Sequence, residues 1–150
     1  MKKTLLCLIP LMLACLHLSA QSSEEISAIL QAEKATASQV SYLPALYAER
    51  IKENDNEDAA FKILQEEGLF AQNVSEDSVV TLAQVCYVYA KTLNIKGGLF
   101  YSLFPSPRYA FKEFKARGII PSTIDPSTTI SGRDSLNLFN SCLELLGELE

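Results

Sequence analysis

The sequence predicts an all-α fold, a helical repeat bundle of two full and one partial helix–loop–helix units. Three observations carry that prediction. Residues return at an offset of 50 without a gap: Ala60-Phe61-Lys62 as Ala110-Phe111-Lys112, Gly68 as Gly118, Leu93 as Leu143 and Gly97 as Gly147. Two hydroxyl residues each head an apolar stripe of helical spacing, Thr81 before Cys86, Tyr89 and Leu93, and Ser131 before Leu136, Phe139 and Leu143. Between the helices of each unit runs a connection of matched length, ending in Val79-Val80 or Thr129-Ile130. A unit of this size cannot bury its apolar face alone, so copies must stack.

Taken in order, Gln21 to about Glu25 is a short polar lead, and Ile26 to about Ile51 is helix-prone, with Pro44 marking a kink or a break. Leu30-Gln31-Ala32-Glu33 stands 50 residues before the Val80 motif and Leu43 before Leu93, which defines a partial unit over about 26–52. Thr36 and Gln39 then fall where Cys86 and Tyr89 stand, and they weaken the stripe there. Lys52 to Asp58 is a charged connector that lacks the glycine and glutamate spacing of a calcium loop.

The first paired unit covers about 57–97. Its first helix runs from about Glu57 to Glu67 and stops at Gly68 in a left-handed cap. Leu69 and Val74 anchor the connection, and Thr81-Leu82-Ala83-Gln84 is a capping box opening a second helix that Gly97-Gly98 ends. The second paired unit covers about 107–147. Pro107 opens a helix carrying Phe111 and Phe114, Gly118 closes it, Ile119 and Ile124 anchor the connection, and Ser131 caps the last helix.

Met1-Lys2-Lys3 and the apolar run from Thr4 to about Leu18 form a secretory signal, so residues 1–20 are expected to be a signal peptide and 21–150 the exported repeat domain. Two endings fit. Ser19-Ala20 suits cleavage before Gln21, and Leu13-Ala14-Cys15 suits a lipoprotein box with a lipid anchor on Cys15. No later stretch has the roughly 20 apolar residues of a membrane span. Loss of Lys2 and Lys3 moves the net charge from -5 to -7, which argues against nucleic acid and an anionic membrane as partners. It also removes His17, the single histidine. General acid–base chemistry through imidazole is thereby excluded, and no metal spacing, phosphate loop or cofactor motif is present.

Val80-Thr81-Leu82-Ala83-Gln84, Ile130-Ser131-Gly132-Arg133-Asp134 and Leu30-Gln31-Ala32-Glu33 resemble the Ile-Thr-Arg-Ala-Glu-like helix opening of the S-layer homology (SLH) repeat. Tyr109-Ala110-Phe111 through Arg117-Gly118-Ile119-Ile120, and Ala59-Ala60-Phe61 through Glu67-Gly68-Leu69, are similar to its second helix and turn. The resemblance covers most of residues 30–147. It implies three units in a pseudo-threefold bundle that holds proteins to envelope polysaccharide, often a pyruvylated wall polymer. In that family a motif arginine contacts the anion; here Ala32, Leu82 and Gly132 stand at its positions, and Arg133 lies one place along.

Candidate sites follow from composition. The connector Gly98 to Tyr109 is dense in aromatic residues, and Phe100, Leu103 and Phe104 are expected to seal the two units together. Its alternative role is a stacking surface for a sugar or peptide, with Tyr101 and Tyr109 beside Arg108. Arg108, Arg117 and Arg133, three of the four arginines, lie in the second unit as an anion pocket or as ordinary surface pairs. Cys86 and Cys142 do not align under the repeat and are either a disulfide or two buried thiols. The expected function is a non-catalytic envelope binding or scaffolding protein, located in the periplasm or cell envelope. Its partner is an envelope protein or, as the alternative, an acidic cell-wall polysaccharide. A carboxylate-based hydrolase is the reading from another class, and no carboxylate pair has a spacing that supports it.

Overall fold

Side-chain caps at Thr36, Asn56, Thr81 and Ser131 open four of the helices, and Pro107 opens another without one. The computed structural model describes residues 23–147, and seven helices and no strands occur among them. They are α1 (23–31), α2 (Ala37–Tyr47), α3 (Glu57–Glu66), α4 (Leu82–Thr92), α5 (Leu99–Leu103), α6 (Pro107–Ala116) and α7 (Gly132–Gly147). The signal segment and Cys15 lie outside the described residues. Among the described residues, no helix is long and apolar enough to cross a membrane.

Residues 26–51 are not one helix with a break at Pro44. Pro44 lies inside α2, buried, and the break comes earlier, at 32–36. Two hydrogen bonds explain it. The Ala35 amide donates to the Ile130 carbonyl at 2.7 Å, and the Ala35 carbonyl accepts from the Val80 amide at 3.2 Å. A helical Ala35 would forfeit both, so tertiary pairing overrides the propensity of Ala32-Glu33-Lys34-Ala35.

Leu30-Gln31 is correspondingly the end of a helix rather than its opening. The opening is Thr36, whose hydroxyl accepts from the Gln39 amide while the Gln39 side chain accepts from the Thr36 amide, a complete capping box. At Thr81 only half of the expected box forms. Thr81 Oγ1 accepts from the Gln84 amide, but the Gln84 side chain donates instead to the Leu69 carbonyl at 2.7 Å. At Ser131 the hydroxyl accepts from the Asp134 amide at 3.1 Å and donates to the Asp134 carboxylate.

These three openings converge. Thr36 bridges to Val79 and Thr81 to Thr129, while the Gly132 amide donates to the Ala32 carbonyl at 2.9 Å. Helices α2, α4 and α7 pack on one another in the middle, with α3 laid on α2 and α6 on α4. Their shared core contains Val40, Val85, Val88, Tyr89 and Phe139 together with Phe61 and Phe114. Tyr89 crosses it, meeting Phe139 edge to face at 5.6 Å and donating to the Ser135 carbonyl at 3.2 Å.

The connections after α3 and α6 share backbone hydrogen bonds at a 50-residue offset, and their side-chain bonds run closely alike. Gly68 (φ 81°) and Gly118 (φ 74°) take left-handed conformations, and the next amides return to Leu64 and Phe114. The Gln65 side chain then donates to the carbonyls of Ala71 and Val74, as the Lys115 ammonium does to Ser122 and Ile124. Helix α4, however, stops well before Gly97. Leu93 caps it and Asn94 supplies the positive φ of 53°.

Candidate binding groove

The start of α4, the length of α6 and the connection at 126–127 enclose a groove of about 780 Å³. Pro107 sets the first turn of α6. From there Arg108, Lys112 and Lys115 fall at helical spacing on one face, and all three line the groove. Phe111, Ala83 and Pro126 form its apolar floor, and Thr81 and Ser127 add hydroxyls. Among the described residues, no carboxylate lines it.

The three cations differ in freedom. Lys115 is held by the Ser122 and Ile124 carbonyls and sits 5.3 Å from the centre of the Phe111 ring. Lys112 lies 5.7 Å from the Tyr109 ring centre. Arg108 makes no ion pair among the described residues. Asp125 stands beside this lining, accepting from the Ser127 hydroxyl and amide, which together with the charge of Lys115 hold its carboxyl below the usual range.

A smaller recess of about 340 Å³ adjoins on the other side of α6. There Phe100 and Tyr109 stack, 6.1 Å apart and 10° from parallel. Tyr101 is buried beneath, its hydroxyl without a partner and pushed up to about 12 by burial and by Tyr87 and Glu113. Burial also pushes the Glu113 carboxyl up, but the Gly98 amide at 2.8 Å and the Arg117 guanidinium at 2.9 Å outweigh it and hold it below its ordinary value.

The structure therefore does not gather the sequence-derived candidates into one site. Arg108 lies in the groove, and Tyr101 and Tyr109 line the adjoining recess. Arg117 is committed to Glu113 and to the Lys96 carbonyl, tying the end of α6 to the chain after α4. Arg133 is exposed on the first turn of α7, away from the groove lining. Lys112 and Lys115 were the residues sequence reasoning missed, although their spacing from Arg108 on one helix was the available signal.

One further expectation changes. Phe100, Leu103 and Phe104 do not pack inward between the helices; they are exposed, and Tyr101 is the connector residue that packs inward. Of the two alternatives for Cys86 and Cys142, the structure has the buried free thiols. Burial raises both, Cys142 to about 12, and the nearness of Cys142 adds to the shift on Cys86. Among the described residues, no group of three or more His, Cys, Asp or Glu could hold a metal ion. No family model matches the chain, and neither a curated protein nor a solved structure does.

Proposed function

We propose that this chain is an exported, non-catalytic binding or scaffolding protein of the cell envelope, whose groove along α6 takes an acidic component. The observation that carries the reading is the alignment of Arg108, Lys112 and Lys115 in a groove that no carboxylate among the described residues lines, on a chain of net charge -5. Cations concentrated against the overall sign favour an anionic ligand, and an open groove suits a strand of polymer or peptide. The same reading takes the chain as an SLH-like stack of helical units. Its support is the recurrence of the α3 and α6 turn geometry at the 50-residue offset, with Thr36 as the opening of the partial unit.

That register moves the first arginine-equivalent position from Ala32 to Ala37, beside Leu82 and Gly132, so all three remain without arginine. Charge comes from α6 instead. Within this reading a protein scaffold is favoured, and an acidic wall polysaccharide is the second ligand class. The stacked Phe100 and Tyr109 rings beside Lys112 speak for the latter, since sugar faces pack on aromatic rings.

Co-sedimentation with purified wall material and cross-linking in intact envelopes separate the two. A polysaccharide ligand gives sedimentation that weakens about tenfold or more in Arg108→Ala with Lys112→Ala. A scaffold gives a specific cross-linked protein and no sedimentation. Neither result, with unchanged behaviour of the double variant, would remove the groove from consideration. Intact mass of the protein from its host reports export, through a start at Gln21 or an acylated Cys15.

A further inference from the structure

Leu99, Phe100, Leu103 and Phe104 form an apolar knob on α5 and its end, each between 60% and 71% exposed. Four of the seven large exposed apolar residues described in the chain fall in this six-residue stretch. Single exposed apolar side chains are ordinary, but a contiguous set marks an interaction surface. The knob is also held firmly. Tyr101 is buried below it, α5 packs on α6, and the Gly98 amide is fixed by Glu113.

Charge surrounds it. Between residues 91 and 117 stand six cations, Lys91, Lys96, Arg108, Lys112, Lys115 and Arg117, against the single carboxylate Glu113. This stretch carries +5 in a chain of -5, leaving -10 on the remainder. Lys112 shares the recess with Leu99 and Phe100, and on the other side Lys91 and Lys96 line a depression with Ser102 and Pro105. The cations thus flank the knob on both sides.

We infer that α5 is an interfacial membrane anchor that recognises an anionic lipid surface. Leu99, Phe100, Leu103 and Phe104 enter the boundary between headgroups and acyl chains, and Lys91, Lys96, Arg108 and Lys112 meet the headgroups. Leucine and phenylalanine flanked by lysine and arginine are the composition of interfacial segments. Protein hot spots favour tryptophan, tyrosine and arginine and are poor in leucine, so the knob fits lipid better than a protein pocket. The acidity of the whole chain, which argues against an anionic membrane, is answered by its distribution, because attraction to such a surface decays within a Debye length. The contact shares Arg108 and Lys112 with the groove, but Leu99, Phe100, Leu103 and Phe104 do not line the groove, so insertion of position 104 is read independently of the groove's ligand.

The chain contains no tryptophan, so Phe104→Trp places a single reporter in the knob, and Tyr47→Trp places one on α2 as a control. Both are mixed with vesicles of equal parts phosphatidylglycerol and phosphatidylcholine, and with pure phosphatidylcholine. The expected result is blue-shifted emission, quenched by brominated lipid, for position 104 only and on the anionic vesicles. Tethering through another part of the chain would not insert position 104. Phe100→Ser with Phe104→Ser should lower vesicle partitioning about tenfold or more, as should Arg108→Glu with Lys112→Glu, with helical content unchanged by circular dichroism. Unshifted emission on both vesicles overturns the inference. So does equal insertion into phosphatidylcholine, which would make the cations irrelevant. A concentration-dependent dimer lost in the serine variant, without vesicle binding, would assign the knob to a second copy and equally overturn it. Cross-linking of position 104 to an envelope protein, without lipid contact, would do the same for a protein partner.

Discussion

Gly132 is where one hydrogen in place of a methyl group decides whether the chain closes. A Cβ built there would stand 1.8 Å from the Ile29 carbonyl oxygen and 3.2 Å from the Ala32 methyl, and the obstacle is backbone. Gly132→Ala must push α1 away from α7 and strain the Gly132-to-Ala32 hydrogen bond, a destabilisation of about 2–4 kcal/mol in denaturant unfolding. Gly147→Ala, with nothing within 4 Å, should stay within about 0.5 kcal/mol of the parent. Glu57 offers a second test at this scale. Its carboxyl is raised to about 7, chiefly by burial and then by Glu25, Asp58 and Asp77, with the Ser38 hydroxyl as a counterweight. Folded Glu57 therefore holds its proton where the unfolded chain, near 4.5, has lost it. Stability from this group is full below pH 4.5 and falls as the pH rises through 7. Glu57→Gln should match the parent at pH 4, exceed it at pH 8 and flatten the slope between them in pH-dependent melting.

The elements were legible where local chemistry sets them. Gly68, Gly118 and Pro107 mark ends and a start that the structure retains, because a positive φ and a proline ring are properties of single residues. The break after α1 was not legible, since the partners of Ala35 lie at Val80 and Ile130, far along the chain. An offset of 50 therefore placed Thr36 and Gln39 inside a stripe, when they are the cap of α2, only 45 residues before Thr81 and Gln84. In the groove, arginines drew attention over lysines, and Lys112 and Lys115 went unread although they share the face of Arg108. The caps give a prediction that uses the corrected register. Thr36→Ala should cost about 1 kcal/mol and Thr36→Ser nearly nothing, because either hydroxyl can accept from the Gln39 amide. Gln84→Ala should cost a comparable amount for a different reason, by leaving the part-buried Leu69 carbonyl without its donor. Denaturation midpoints at constant slope measure both.

At the scale of the molecule, the joints between α2, α4 and α7 bear on whether the helices can come apart separately. Ala35 bonds simultaneously to the connection before α4 and the one before α7, and Tyr89 of α4 donates into α7 at Ser135. Loosening one opening therefore removes hydrogen bonds from the other two, which is the condition for a single cooperative transition despite a repeat-like chain. The two thiols make this measurable. Cys86 on α4 and Cys142 on α7 are fully buried, and the same burial that pushes their deprotonation to higher pH suppresses the reactive thiolate. A thiol reagent at neutral pH should find neither in the native protein and both after unfolding. With single-cysteine variants Cys86→Ala and Cys142→Ala, labelling of the remaining thiol should follow denaturant with the same midpoint as the loss of helix signal in that variant. Labelling of Cys142 at clearly lower denaturant would mean that α7 detaches alone, and that the contacts at Ala35 and Ser135 do not couple it to the rest.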